Sequence, residues 1–232
     1  MDIFWRLILA HLLADFTFQT DFIARWKRKN LFGGIAHSFV FFICASALCY
    51  GRLAQSWNVF GRHFPVNGWV ALAILTLLHF LEDDWRVRAV KRSSSADTFI
   101  FFLIDQFVHV ALIFIFFPFQ YPGYNEKWVF LAILFILATH FSSIFVYFAE
   151  KGATGTSRLD SSERYYSMGE RLFIGLALLL PGLWACSFAA AWLVRIVFKR
   201  GKNPDVTFLN TIVSNALAIV IGIAARLVLY AC

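Results

Sequence analysis

Charge is scarce in this chain. Only 15% of its 232 residues are Asp, Glu, Lys or Arg, against about 25% in an ordinary soluble domain. That shortage excludes a disordered, solvated polypeptide. Cysteine is scarce too. Cys44, Cys49, Cys186 and Cys232 contain no Cys-x-x-Cys pair, which argues against a disulfide-rich secreted module and a thiolate site. They read as small apolar residues. Several catalytic signatures are missing: His-Glu-x-x-His, Gly-x-Ser-x-Gly, the Rossmann glycine fingerprint and the haem-attachment Cys pair. Gly152-Ala-Thr-Gly-Thr-Ser157 lacks the Lys and the spacing of a phosphate loop and reads as a flexible linker.

What the chain has in abundance is apolar surface. Hydrophobic residues make up 60%, and Phe alone contributes 28. Several apolar runs are long enough to cross a bilayer. The expected fold is all-α, a polytopic transmembrane helical bundle forming one integral-membrane domain over 1–232. Predicted spans are Ile3–Ala24, Gly33–Tyr50, Asn67–Trp85, Asp97–Phe119, Glu126–Ala149 and Asp205–Tyr230. Pro118 and Tyr121-Pro122-Gly123 close the fourth, and Lys151–Ser162 forms a polar linker. The stretch Tyr165–Phe198 is one span or two, giving seven or eight in all. The first segment lacks a basic start and a small-residue cleavage site, so it is expected to remain as a span.

Loop charge favours eight spans, with a tight turn at Pro181-Gly182. Arg25, Lys27, Arg28, Lys29, Arg86, Arg88, Lys91, Arg92, Lys151, Arg158, Arg164, Lys199, Arg200 and Lys202 then share one face. The positive-inside rule makes that face cytoplasmic and puts both termini on the other side. The net charge of +7 therefore reflects loops, not nucleic-acid binding. Trp5, Trp57, Trp69 and Trp128 near span ends are expected to anchor at the interface. The turn Arg25–Lys29 is expected to touch anionic headgroups. His63 falls in an outside loop.

Ionisable groups inside spans are costly and mark function by default. His11, Asp15 and Gln19 follow i, i+4, i+8 spacing on one helix face. His79 and Asp83 lie at i, i+4, as do Asp105 and His109. Three helices each offer a His/Asp pair at a common expected depth. His37 and His140 lie in neighbouring spans, and Glu170-Arg171 opens another. One helix can present both members of such a pair to a single ion, as helical bundles do in building metal sites. Zinc, manganese and iron accept imidazole and carboxylate ligands. The candidate ligands are His11, Asp15, His79, Asp83, Asp105 and His109, with Asp15, Asp83 and Asp105 also candidate catalytic groups. Gln19, His37, His140, Glu170 and Arg171 are secondary. The same groups also suit a proton path or polar glue between helices. Asn210, Ser214 and Asn215 are expected to bond between helices.

Three stretches carry a family resemblance: Leu9-Ala-His-Leu-Leu-Ala-Asp-Phe-Thr-Phe-Gln-Thr-Asp21, His79-Phe-Leu-Glu-Asp83 and Phe102-Leu-Ile-Asp-Gln-Phe-Val-His109. They resemble a family of bacterial polytopic membrane proteins known only as domain of unknown function 3307. Gly169–Ile174 and Phe208–Ser214 resemble its C-terminal half. The resemblance implies a helical membrane protein of a bacterial inner (cytoplasmic) membrane and no particular activity. Glu82 departs from the family pattern, which has an apolar residue there.

The leading expectation is an intramembrane metal-binding enzyme, hydrolase-like, acting on a lipid or lipid-linked substrate. The alternative is a proton, metal-ion or small-solute transporter or channel using the same cluster. A third reading is a membrane anchor or sensor for a partner protein. The oligomeric state is not legible in the sequence.

Overall fold

The computed structural model describes residues 2–60, 64–93, 97–118, 126–155, 161–200 and 208–230. His63, Cys232, Lys202, the turn Tyr121-Pro122-Gly123 and residues 156–160 of the linker lie outside them. The described chain is mostly helical and forms two compact units, Met1–Val129 and Phe130–Cys232.

Helix α1 (Asp2–Leu12) passes into a π-helical turn, Leu13–Thr17. The chain then bends by 88° into α2 (Asp21–Lys29). The segment expected as a span over Ile3–Ala24 is therefore not one continuous helix but a bent pair. The break is local chemistry: Thr20 has extended backbone, and its side chain accepts a hydrogen bond from the Ile23 N–H at 3.3 Å, starting a new helix. Helix α2 places Phe22 outward alongside Arg25, Arg28 and Lys29, the character of a helix lying along an interface.

Helix α3 (Leu31–Leu53) starts where the Asn30 side chain accepts from the Gly33 N–H at 3.1 Å. A hairpin of β1 (Ser56–Val59) and β2 (Phe64–Asn67) follows, paired from Ser56↔Asn67 to Val59↔Phe64. This small sheet corrects the purely α-helical expectation. Trp57 is fully buried there and donates its indole N–H to the Arg52 carbonyl at 3.0 Å, so it is no interface anchor. Trp69 and Trp128 are exposed. Helices α4 (Gly68–Arg92) and α5 (Phe99–Phe116) complete the first unit with the opening of α6 (Lys127–Ile136). Arg6 on α1 forks onto Glu126 with bonds of 3.0 and 2.7 Å and also donates to the Leu48 carbonyl.

In the second unit a π-helical turn, Leu137–Phe141, joins α6 to α7 (Ser142–Thr154). Helices α8 (Ser161–Leu178), α9 (Trp184–Arg200) and α10 (Phe208–Tyr230) follow. The chain turns at Pro181-Gly182, where Gly182 has φ +62°, a conformation glycine adopts without a Cβ penalty. Arg226 closes this turn by donating to the Leu178 and Leu180 carbonyls at 2.7 and 2.6 Å. Ile174, Ile196 and Ala218 form the core. A Cβ on Gly222 would sit 3.1 Å from the Gly175 Cα, so α8 and α10 approach through small residues, as membrane helices do.

Among the described residues, four helices are long and apolar enough to cross a membrane: Leu31–Leu53, Phe99–Phe116, Lys127–Thr154 and Phe208–Tyr230. The bent pair Ile3–Thr17 and Asp21–Lys29 meets the same criterion jointly. Phe39, Leu77, Phe107, Phe114 and Leu227 point outward, while His11, His37, His79, Asp105 and Arg171 are buried. That inversion suits a lipid surround, and the apolar helices mark a membrane protein.

Gly33 sets the angle between α2 and α3. A Cβ there would fall 2.3 Å from the Trp26 carbonyl carbon, and backbone cannot yield as a flexible side chain can. Gly33→Ala is expected to destabilise the protein by about 1–3 kcal/mol, the range for overpacking. The check is a lowered midpoint of thermal unfolding in detergent.

Candidate metal centre

The first unit concentrates its buried polar groups in one place. Asp15 comes from the π-helical turn, His37 from α3, His79, Glu82 and Asp83 from α4, and Asp105 and His109 from α5; His11 closes the group from α1. All are buried, His37 completely. The π-turn matters here. It carries Asp15, whose Oδ1 lies 3.6 Å from His11 Nδ1, four residues earlier.

One carboxylate oxygen, Asp15 Oδ1, faces three imidazoles. Besides His11 Nδ1, it lies 3.3 Å from His37 Nε2 and 3.5 Å from His79 Nε2. Asp83 Oδ2 lies 3.2 Å from His37 Nε2 and 3.7 Å from His79 Nε2. Yet Asp15 Oδ1, His37 Nε2, His79 Nε2 and Asp83 Oδ2 have no hydrogen-bond partner within the protein. Such spacing fits ligands around an ion and equally a protonated imidazole paired with a carboxylate. Zinc bonds to nitrogen or oxygen of about 2.0–2.1 Å imply tetrahedral ligand edges of about 3.3–3.4 Å.

Three sets of potential donor atoms each lie within 4.8 Å of one another: His11, His79 and His109; Asp15, His37 and His79; and Glu82, Asp105 and His109. His79 and His109 each belong to two sets, and their ring centroids are 4.4 Å apart. Supporting contacts hold the rings. His79 stacks on Phe41 at 4.9 Å. His109 Nδ1 donates to the Asp105 carbonyl at 2.9 Å, leaving Nε2 3.2 Å from Glu82 Oε2. His11 Nε2 donates to Gln106 Oε1 at 3.2 Å. An imidazole with one nitrogen donating and the other turned to a shared centre is the usual posture of a metal ligand.

Two cations reach the cluster. Lys27 Nζ lies 2.5 Å from Asp83 Oδ1 and 3.3 Å from Gln19 Oε1. Arg86 Nη1 lies 2.6 Å from Asp105 Oδ2, which also accepts from Gln106 Nε2 at 2.8 Å. Lys27 and Arg86 thus each pair with one of the four buried carboxylates, Asp83 and Asp105.

The fold thus brings together all six candidate ligands and adds His37 at their centre. Gln19 is displaced. It sits in the α1–α2 break and accepts from Lys27, a correction to the helix-face placement that follows from the bend. His140, Glu170 and Arg171 belong to the second unit. His140 Nδ1 lies 3.1 Å from the Thr139 hydroxyl. Arg171 donates to the Ala138 and Thr139 carbonyls at 2.6 and 3.2 Å, and to Ser214 and Ser143 at 2.9 and 2.6 Å. It there satisfies carbonyls of the Leu137–Phe141 π-turn, a structural role. Asn210 donates to Glu150 at 3.1 Å, so it and Ser214 bond between helices as expected.

Lys27, Arg86 and Glu82 are the residues that sequence reasoning did not place at the site. The two cations read as loop charge, and Glu82 as a departure from a family pattern. Only their spacing from the His/Asp pairs could have flagged them: Glu82 precedes Asp83, and Arg86 lies seven residues beyond His79.

The family described as Protein of unknown function (DUF3307) matches residues 3–137, more than half of the chain, and the chain belongs to it. Every residue of the cluster lies within the match. The match ends at Leu137, so it does not extend to Gly169–Ile174 and Phe208–Ser214, where the resemblance was also expected. Comparison with curated proteins finds no match, and comparison with solved structures finds none.

Removing Arg86 leaves Asp105 buried with one fewer compensating charge. Arg86→Met is expected to cost roughly 3 kcal/mol, the scale for breaking a buried ion pair from one side. Adding Asp105→Asn should restore part of it. Thermal or denaturant unfolding of the two single variants and the double variant measures the coupling.

Proposed function

We propose that this protein binds one divalent cation in the His/Asp cluster of its first unit and uses it as an intramembrane hydrolase on a lipid or lipid-linked ester or phosphoester. The observation that carries the reading is the approach of Asp15 Oδ1 to His11, His37 and His79 at 3.3–3.6 Å, with no hydrogen bond formed by that oxygen. Asp15, His37, His79 and Asp83 hold the ion, with His11 and His109 beside them. Zinc, manganese and iron suit this donor set. Such an ion supplies a bound water of lowered pKa.

The protein's own groups divide the remaining work. Glu82 has two carboxylate oxygens without hydrogen-bond partners, so it is the group placed to take a proton. Asp105 is occupied by Arg86 and Gln106 and positions His109 through its backbone carbonyl. Asp83 is held by Lys27 and orients His37. In this reading the chain crosses the membrane eight times, turning at Pro181-Gly182. The basic loops face the cytoplasm, both termini lie on the opposite side, and the membrane is a bacterial inner membrane.

The alternative is ion or proton transport through the same residues. The same buried imidazoles and carboxylates suit it, because both kinds of group exchange protons. Elemental analysis decides between them. Protein purified without chelator is expected to carry about one zinc, manganese or iron per chain. His37→Ala and His79→Ala should lose it while keeping the helical circular dichroism of the wild type. A folded, metal-free wild type overturns the metal reading, and flux in proteoliposomes then tests the alternative.

A further inference from the structure

A cavity of about 210 Å³ lies beside the cluster, between the interfacial helix α2, the start of α3 and the charged end of α4. Lys27, Leu31, Gly34, Phe80, Asp83 and Lys91 line it. We infer that this cavity is the headgroup site of the substrate, and that it takes a phosphate monoester carried on a lipid.

Position, size and charge each contribute. Asp83 belongs to both places: its Oδ2 faces His37 and His79, while its Oδ1 meets Lys27. A group bound in the cavity is therefore one side chain away from the cluster. The volume is well below the roughly 300–1,000 Å³ of a pocket that encloses a drug-sized ligand. It suits a headgroup, not acyl chains. Leu31 and Phe32 are exposed near the opening, at 51% and 70%, where chains extend into the bilayer.

Charge selects the sign of the ligand, and this step rests on the metal reading above. Arg88 is paired with Asp84 at 2.7 Å, so that pair contributes no net charge. Asp83 is shared: an ion at its Oδ2 draws on the same negative charge that Lys27 meets at Oδ1. With the ion bound, the Lys27 ammonium on the cavity wall is only partly neutralised, and Lys91 adds a second positive charge. Two ammonium groups match a phosphate monoester, which carries up to two negative charges, better than a zwitterionic headgroup. Gly34 keeps the space open: a Cβ there would come within 3.1 Å of the Phe80 ring.

The test is binding of dioctanoyl phosphatidate to the full chain in detergent, by native mass spectrometry and thermal shift. Dioctanoyl phosphatidylcholine and inorganic phosphate are the comparison arms, and metal content is measured on the same samples. Phosphatidate should bind at least about tenfold more tightly than either comparison, an effect of about 1.4 kcal/mol. Lys91→Glu and Lys27→Gln should each weaken it about tenfold. Metal-loaded protein should bind it more tightly than chelator-stripped protein. Equal binding of the two lipids, phosphate binding as tight as phosphatidate, or wild-type affinity in both variants overturns the headgroup site. Intact phosphatidate selectivity in protein that never holds metal supports the cavity and overturns the metal reading instead. Bound metal without lipid selectivity does the reverse.

Discussion

Four carboxylates buried inside a lipid-facing shell are the constraint on which the first unit depends. Each ionised group removed from water costs several kcal/mol unless it is compensated, and here they lie within one cluster. The rest of the unit reads as the response. Lys27 and Arg86 reach in from the charged ends of α2 and α4. The α1–α2 bend brings Lys27 close enough to do so. Gly33 lets α2 lie against α3. The outer surface, by contrast, spends its Phe and Leu side chains on lipid.

Irregular helix serves both units, in different ways. In the first, the π-turn at Leu13–Thr17 carries one carboxylate that lies among imidazoles from three helices. In the second, the π-turn at Leu137–Phe141 frees carbonyls that Arg171 collects. π-Turns leave backbone groups without their regular partners and are frequent at functional sites. The first serves the cluster and the second serves packing, and the difference lies in what faces the turn. A carboxylate among unbonded ring nitrogens is poised for a ligand, whereas carbonyls met by a guanidinium are already satisfied.

The helical class was legible in composition, and the His/Asp pairs were legible in spacing, because i, i+4 periodicity survives in sequence. The turn at Pro181-Gly182 was legible for a different reason, the distribution of basic residues on either side of it. What spacing does not carry is the phase between helices. His37 has no carboxylate four residues away, so nothing local marks it, although it lies at the centre of the cluster. Lys27 sits in a run of basic residues and looks like any loop charge until the bend aims it inward. Trp57 shows the opposite failure: position near a span end suggested an interface, and the β-hairpin buried it instead. The break after Thr17 falls in the polar stretch Gln19-Thr20-Asp21, but i, i+4, i+8 spacing continues through it as far as Gln19 and suggested an unbroken helix.

The order of the ligands along the chain has a consequence for biogenesis. His11 and Asp15 are made before their partners on α3, α4 and α5, and the Gln106 that bonds His11 is encoded 95 residues later, with His109 just beyond it. During synthesis the nascent α1 therefore carries an imidazole and a carboxylate before the groups of the later helices exist. A lone helix of this kind is a poor candidate for release into lipid on its own. The cluster is complete only after the ribosome has delivered α5, so its assembly is a collective event across α1, α3, α4 and α5.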